Sequence, residues 1–215
     1  MTMNETMQPT QTPKKTVGIL MFNEVEVLDF AGPFEVFSLA DGGSENKEVD
    51  KVFNVVTIAQ YPTPIFARNG LQVVPDYHFG SHPKLDVLVV PGGYGAQFIA
   101  LHNPEVIAWI LAQAQQVELT LSVCTGAFLL AQAGLLDGKP ATTHWQKIAT
   151  LTQQFSAIEV QSNVRYVDAS DAEMNLITAA GISAGIEASL YCVSKLTSPA
   201  IANASAKRME YDFQI

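Results

Sequence analysis

Short apolar runs alternate along this chain with longer stretches of helical spacing. Val17 to Phe22, Val52 to Ile58, Leu85 to Val90 and Leu119 to Val123 are apolar or β-branched, as strands buried on both faces are. Leu28 to Ala40 predicts a helix in which Pro33 suits the first turn and Phe34, Phe37 and Leu39 face inward. Asn103 is placed to cap a helix running from Pro104 to about Gln116. Gly126 to Gly134 is helical in spacing, with Phe128, Leu129, Leu130 and Ala133 on its apolar stripe and Gly134 at the C-terminal cap. Helices are also predicted from Gln146 to Gln154, from Gly181 to Leu196, and in a short piece after Pro199. Val160 to Val167 and Asn175 to Ala179 read as strands around a turn at Ala169 to Ala172.

Arg68-Asn69-Gly70, inside Pro64 to Val74, predicts a β-hairpin, because Asn-Gly accommodates the positive φ that tight turns require. Residues 41–51 read as an exposed connection. Residues 1–15, polar and Thr/Gln-rich to about Pro13, predict a disordered leader, and residues 16–215 a single domain. Strands alternating with helices imply an α/β fold with a mostly parallel central sheet. Ligands in such sheets bind beyond the carboxyl ends of the strands. That rule brings three loops together: Phe22 to Asp29, Pro91 to Gly95, and Cys124-Thr125.

Composition narrows the function. The 215 residues are 48% hydrophobic and carry 12 Lys+Arg against 21 Asp+Glu, a formal net charge of −9. This balance argues against nucleic-acid binding, which depends on neutralising phosphates. No apolar run is long enough to predict a membrane span, and the N-terminus lacks a signal-peptide core, so a soluble cytoplasmic protein is expected. Cys124 and Cys192 could pair in principle, but reduced thiols are the expectation, with Cys192 a core residue of its helix. His78, His82, His102 and His144 have no metal-ligand spacing with Cys or carboxylates, and neither a P-loop nor a G-x-G-x-x-G is present. No metal and no cofactor are predicted. Glu24, Glu26, Glu35 and Asp168 read as members of solvated faces.

Cys124 lies where a strand turns into a helix. A thiol there has the helix N-terminus beside it, which favours thiolate, and the same turn carries the nucleophile of serine hydrolases. A buried cysteine acting as a small hydrophobe is the competing reading. Asp29 is either the N-cap of its helix or a general acid/base beside Cys124. Gly92-Gly93 either form a turn or let backbone N–H groups approach a ligand as an oxyanion hole does. His144 is either structural or a substrate contact, and its neighbours fit a pocket wall or an interface equally well.

Leu28-Asp-Phe-Ala-Gly-Pro-Phe-Glu-Val-Phe37, Val89-Val-Pro-Gly-Gly93, Ser122-Val-Cys-Thr-Gly126, Gly134-Leu-Leu-Asp-Gly-Lys-Pro-Ala-Thr-Thr-His-Trp145 and Gly181-Ile-Ser-Ala-Gly-Ile-Glu187 occur in that order. Together they resemble the ThiJ/PfpI superfamily of class I glutamine-amidotransferase-like domains, in particular its isonitrile hydratase branch, over about Thr16 to Leu196. The resemblance implies a flavodoxin-like three-layer sandwich, a homodimer and a reactive cysteine at the elbow. It makes Cys124 the nucleophile, Asp29 the acid beside it and Thr125 the hydroxyl residue after it, with Gly92, Gly93 and the Thr125 N–H as the polar cradle. The implied reaction is hydration of a small-molecule isonitrile to an N-substituted formamide through a thioimidate, without a cofactor.

Departures from the pattern matter as well. Peptidase-like members have histidine directly after the cysteine, whereas Thr125 here removes that base and argues against proteolysis. Regulator members carry a helix-turn-helix domain after this one, and the short piece beyond Pro199 is expected not to supply it. Two other functions remain open. One is a glyoxalase or deglycase acting on small dicarbonyls, whose members usually have Glu in place of Asp29. The other is a non-catalytic ligand or redox sensor in which Cys124 oxidises.

Overall fold

In the computed structural model, which describes residues 14–42 and 51–213, the apolar runs become the strands of one seven-stranded sheet. The first half of the chain forms β1 (Lys15–Met21), α1 (Val27–Leu39), β2 (Phe53–Ala59), β3 (Ile65–Phe66), β4 (Gln72–Val73), β5 (Tyr77–His78), β6 (Val87–Val90), α2 (Tyr94–Phe98) and α3 (Pro104–Ala114). The second half forms β7 (Leu119–Val123), α4 (Gly126–Gln132), β8 (Pro140–Ala141), α5 (Ile148–Gln154), β9 (Glu159–Val160), β10 (Tyr166–Asp168), β11 (Leu176–Ala179), α6 (Ala184–Leu196) and α7 (Pro199–Arg208). The strand order is β10-β11-β7-β6-β1-β2-β5, and every neighbouring pair is parallel except β10 with β11. Two helix groups flank the sheet: α1, α6 and α7 pack together, as do α3 and α4. This is the α/β fold with a mostly parallel sheet that the alternation of strands and helices predicts, in the flavodoxin-like sandwich form that the family resemblance implies.

Burial follows from topology. β6 and β7 lie inside the sheet with helices on both faces, so every residue of both is buried. α4 is buried from Gly126 to Ala131, which explains a helix with apolar residues on all sides. Its leucines and Phe128 each contribute about 1.5–3 kcal/mol by leaving water.

The structure corrects several local expectations. β1 begins at Lys15, inside the stretch read as leader; residues 1–13 lie outside the described residues, as do residues 43–50 of the connection. α1 begins at Val27, so Pro33 sits in the helix interior rather than its first turn and has no N–H for the Asp29 carbonyl one turn earlier. The buried stripe of α1 runs through Asp29, Pro33, Val36 and Phe37, with Phe30 and Gly32 beside it. Phe34 falls off that stripe and is 37% exposed, contrary to its predicted inward position. The run from Val160 to Val167 breaks into β9, which pairs with β8, and β10, because Asn163 between them adopts φ 60°. The hairpin at Arg68-Asn69-Gly70 forms as expected, closing β3 against β4 with Asn69 at φ 63°. Both cysteines are free and buried, with Cys192 in the core of α6.

Asp168 is not on a solvated face. Its carboxylate accepts from Tyr191 Oη at 2.7 Å, from Lys195 Nζ at 2.8 Å and from the Ser170 N–H at 3.0 Å, tying β10 to α6. Burial alone would raise this carboxyl, but the bonds from Lys195, Ser170 and Tyr191 outweigh it and hold the group at about 2. A depressed acid stabilises the fold above its unfolded value of 3.8 and loses that contribution as pH falls toward 2. Asp168→Asn is therefore expected to lower the unfolding free energy by about 1–3 kcal/mol at pH 7. In urea titrations the gap from wild type should close between about pH 4 and pH 2; a gap that persists at the acid end would rule out the carboxylate as its source.

Candidate active site

The three loops predicted to converge do so. The central element is the β7–α4 elbow, where Cys124 adopts φ 56°, a left-handed conformation that costs a non-glycine residue about 1–3 kcal/mol. The surrounding backbone holds it there. The Cys124 N–H donates to the carbonyls of Ala179 at 3.1 Å and Ala180 at 2.8 Å, and the Thr143 hydroxyl donates to the Cys124 carbonyl at 2.8 Å. The sulfur-bearing residue is only 6% exposed.

Asp29 meets it from α1. Helical periodicity places Asp29 on the buried stripe, and its exposure is zero. It does not cap the helix: the N-cap is Glu26, which makes no side-chain capping bond. Instead, Asp29 Oδ2 accepts the Gly92 N–H at 3.1 Å, while Oδ1 is buried without a hydrogen-bond partner. Burial raises the carboxyl to about 7 and the Glu26 charge adds to this, against the Gly92 N–H, the Cys124 thiol and the Ile182 N–H, which act downward.

The thiol moves in the direction opposite to the one expected from a helix N-terminus. Burial pushes Cys124 up, and the neighbouring Asp29 pushes it further; the N–H and hydroxyl of Thr125 oppose them without prevailing. α4 has only seven residues and lies in the core, so its dipole is too small to offset the loss of solvation. The resting pair is a neutral thiol beside a carboxyl that titrates near neutrality.

Gly92 and Gly93 are brought to the site, but not as free oxyanion donors. The Gly92 N–H serves Asp29, and the Gly93 N–H donates to Thr125 Oγ1 at 2.9 Å, whose hydroxyl returns a bond to the Gly93 carbonyl at 3.1 Å. Gly92 is needed for close approach, since a Cβ there would lie 2.5 Å from the Thr125 nitrogen and 3.0 Å from Asp29 Oδ2. Gly93 has φ 120°, and its Cβ would lie 2.4 Å from the Glu26 nitrogen. The two glycines thus fix Asp29 and Thr125 relative to each other.

His144 lies one step away. Its ring packs on Gly181, where a Cβ would fall 2.2 Å from Cδ2, and its Nδ1 accepts the Gln146 N–H at 3.3 Å. Burial and then Lys147 lower its basicity, against the Glu26 charge, so the ring is a neutral wall of a neighbouring cavity. Sequence reasoning missed three participants. Glu26 was assigned to a solvated face, yet its charge reaches both Asp29 and His144. Thr143 lay in view beside His144, but its bond to the elbow crosses 19 residues. Ile182 contributes through its backbone N–H at φ 51°, for which an isoleucine side chain gives no signal. Among the described residues, no group of three or more His, Cys, Asp or Glu could hold a metal ion, and no helix is long and apolar enough to cross a membrane.

The DJ-1/PfpI family pattern matches residues 15–195, a span that includes β1, the elbow and α6 almost to its end. The chain belongs to the DJ-1/PfpI family. Among curated relatives it is 34% identical to isonitrile hydratase of Pseudomonas putida over 91% of this chain and 78% of that one. It is also 26% identical to the HTH-type transcriptional regulator GbdR of Pseudomonas aeruginosa over 87% of this chain, which spans 48% of the regulator. Among solved structures, a ThiJ/PfpI family protein from Pseudomonas syringae superposes with TM-score 0.80 at 28% identity, covering 100% of this chain and 84% of that one. DJ-1beta of Drosophila melanogaster shares the fold, with TM-score 0.77 at 20% identity over 94% of this chain and 100% of that one. The relatives of this chain thus include both an enzyme and a transcriptional regulator.

Proposed function

We propose that this protein hydrates isonitriles to N-substituted formamides, with Cys124 as nucleophile and Asp29 as its acid and base. The observation that carries the reading is the buried thiol facing a carboxyl that titrates near 7 and keeps one oxygen unpartnered. The 34% identity to isonitrile hydratase supports it. Asp29 takes the thiol proton, and the sulfur bonds to the terminal isonitrile carbon. The same carboxyl then protonates that carbon, giving a thioimidate. Water adds to this carbon, and the carboxylate relays one of the water protons to the nitrogen, giving a tetrahedral adduct. The C–S bond breaks, the adduct's hydroxyl proton passes through the carboxylate to the sulfur, and the formamide departs. Asp29 thus donates and accepts at successive steps, which requires a pKa near the working pH.

This scheme needs the pair to have lost one proton. kcat/KM for an aryl isocyanide is therefore expected to rise as pH increases through about 7, the value at which Asp29 ionises. Cys124→Ala should give no formamide above background at any pH. A pH-independent wild-type rate between pH 5 and 9 would remove Asp29 from this role. A second reading, ligand sensing without turnover, draws on the likeness to GbdR. It predicts that the wild type binds isonitriles or their analogues but releases no formamide.

A further inference from the structure

Two residues that hydrogen-bond to Cys124, and a third whose backbone acts electrostatically on Asp29, also line a neighbouring cavity. The Thr143 hydroxyl holds the Cys124 carbonyl, the Ala180 carbonyl accepts the Cys124 N–H, and the Ile182 N–H acts on Asp29. All three line a solvent-open cavity of about 650 Å³, which Trp145, Ile148 and Arg165 line as well. An isonitrile reacts at its terminal carbon, so the N-substituent extends beyond the reacting atoms and needs an adjoining space.

We propose that this cavity receives the N-substituent of the substrate, and that the substituent is a bulky, uncharged aromatic group. The inference rests on the hydration reading and deepens it by naming the substrate class. Volume is the first argument. A cavity of about 150 Å³ accommodates benzene, and drug-sized ligands fill about 300–1,000 Å³. A methyl or small alkyl group would leave most of this space to water. The second argument is Trp145, which is 74% exposed although a tryptophan gains much by burial. Its ring, tilted beside His144 with centroids 5.9 Å apart, offers an apolar face to a planar group.

Charge gives the third argument. The guanidinium Nε of Arg165 donates to Glu187 at 2.7 Å, so the cation on the cavity wall is already compensated. His144 faces the same space in its neutral form. An anionic substituent would meet no uncompensated positive charge and would approach a chain of net charge −9.

The test measures selectivity in wild type, Trp145→Ala and Ala149→Trp. Ala149 lines the cavity from α5 and is solvent-exposed, so added bulk enters the cavity without overpacking the core. Two ratios are read: kcat/KM for 2-naphthyl against methyl isocyanide, and the Cys124 alkylation rate by bromoacetonaphthone against iodoacetamide, followed by mass spectrometry. The wild type should favour the naphthyl compound by at least about tenfold in both. Ala149→Trp should remove that preference, and Trp145→Ala should lower it several-fold. The alkylation ratio decides the cavity's role, because it needs no hydration. Ratios in both variants within twofold of wild type would overturn the inference. Turnover decides the reaction separately: altered alkylation ratios without any formamide would keep the aromatic subsite and overturn the hydration reading.

Discussion

Asp29→Asn is expected to make the protein harder to unfold at neutral pH while removing about two to four orders of magnitude of isonitrile hydration. Both effects come from one buried carboxyl. In the unfolded chain Asp29 ionises freely at 3.8, whereas burial in the native state raises it to about 7. A carboxyl raised by folding favours the native state only when protonated. That contribution is complete below about pH 4 and is lost as pH rises toward 7. At neutral pH the native state consequently forgoes up to about 4 kcal/mol relative to a neutral residue, an upper bound because an amide also buries N–H donors. An asparagine keeps an acceptor for the Gly92 N–H and carries no charge to bury. Thermal unfolding followed at several pH values tests this directly. The variant should melt several degrees above wild type at pH 7.5, with the difference vanishing near pH 4. A variant that melts lower at pH 7.5 would show that the Asp29 carboxylate is satisfied in the native state. It would also undercut the proton shuttle assigned to it, since an ordinary carboxylate is too weak a base to take the thiol proton and stays unprotonated at neutral pH.

The sequence was informative where chemistry and topology coincide. A strand ending at Val123 followed by helical spacing from Gly126 placed Cys124 at an elbow, and the rule for parallel sheets brought Asp29, Gly92 and Gly93 to it. Those placements hold because the apolar runs of β1, β6 and β7 are unambiguous strands in the middle of the sheet. The protonation state was not legible. A helix N-terminus is visible in sequence, but the burial that outweighs it, together with the Asp29 carboxyl from α1, arises only when distant segments meet in the fold. Nor could Gly92 and Gly93 be told apart from an oxyanion hole, because the partners of their N–H groups lie 32 to 63 residues away. α1 was misjudged for a different reason. Val27, Leu28, Phe30, Phe34, Val36 and Phe37 surround the helix, so periodicity alone does not choose the buried face. Asp29 does so in the structure, since the face that meets the elbow must carry it.

Gly126→Ala is expected to unfold the elbow rather than merely loosen it. The glycine begins α4, and a Cβ on it would lie 2.1 Å from the Val90 carbonyl oxygen and 3.0 Å from that of Pro91. Neither obstacle is a side chain that can rotate away. Val90 is the last residue of β6 and pairs with Ser122 of β7, so moving its carbonyl pulls on the ladder beneath Cys124. The expected loss is about 3 kcal/mol or more, at the upper end of single substitutions. Gly138→Ala provides the comparison. Gly138 has φ 72° but nothing within 4 Å of its Cβ position, so its alanine variant bears only the left-handed backbone penalty of about 1–2 kcal/mol. Urea midpoints should therefore fall much further for Gly126→Ala than for Gly138→Ala. Equal losses would mean that β6 and α4 can separate at little cost, and the close approach that fixes the cysteine would not be a constraint of the fold. At permissive temperature, soluble Gly126→Ala should also lose isonitrile hydration, because its cysteine no longer faces Asp29. Gly138→Ala should keep it, since residue 138 lies in the turn before β8, away from the elbow.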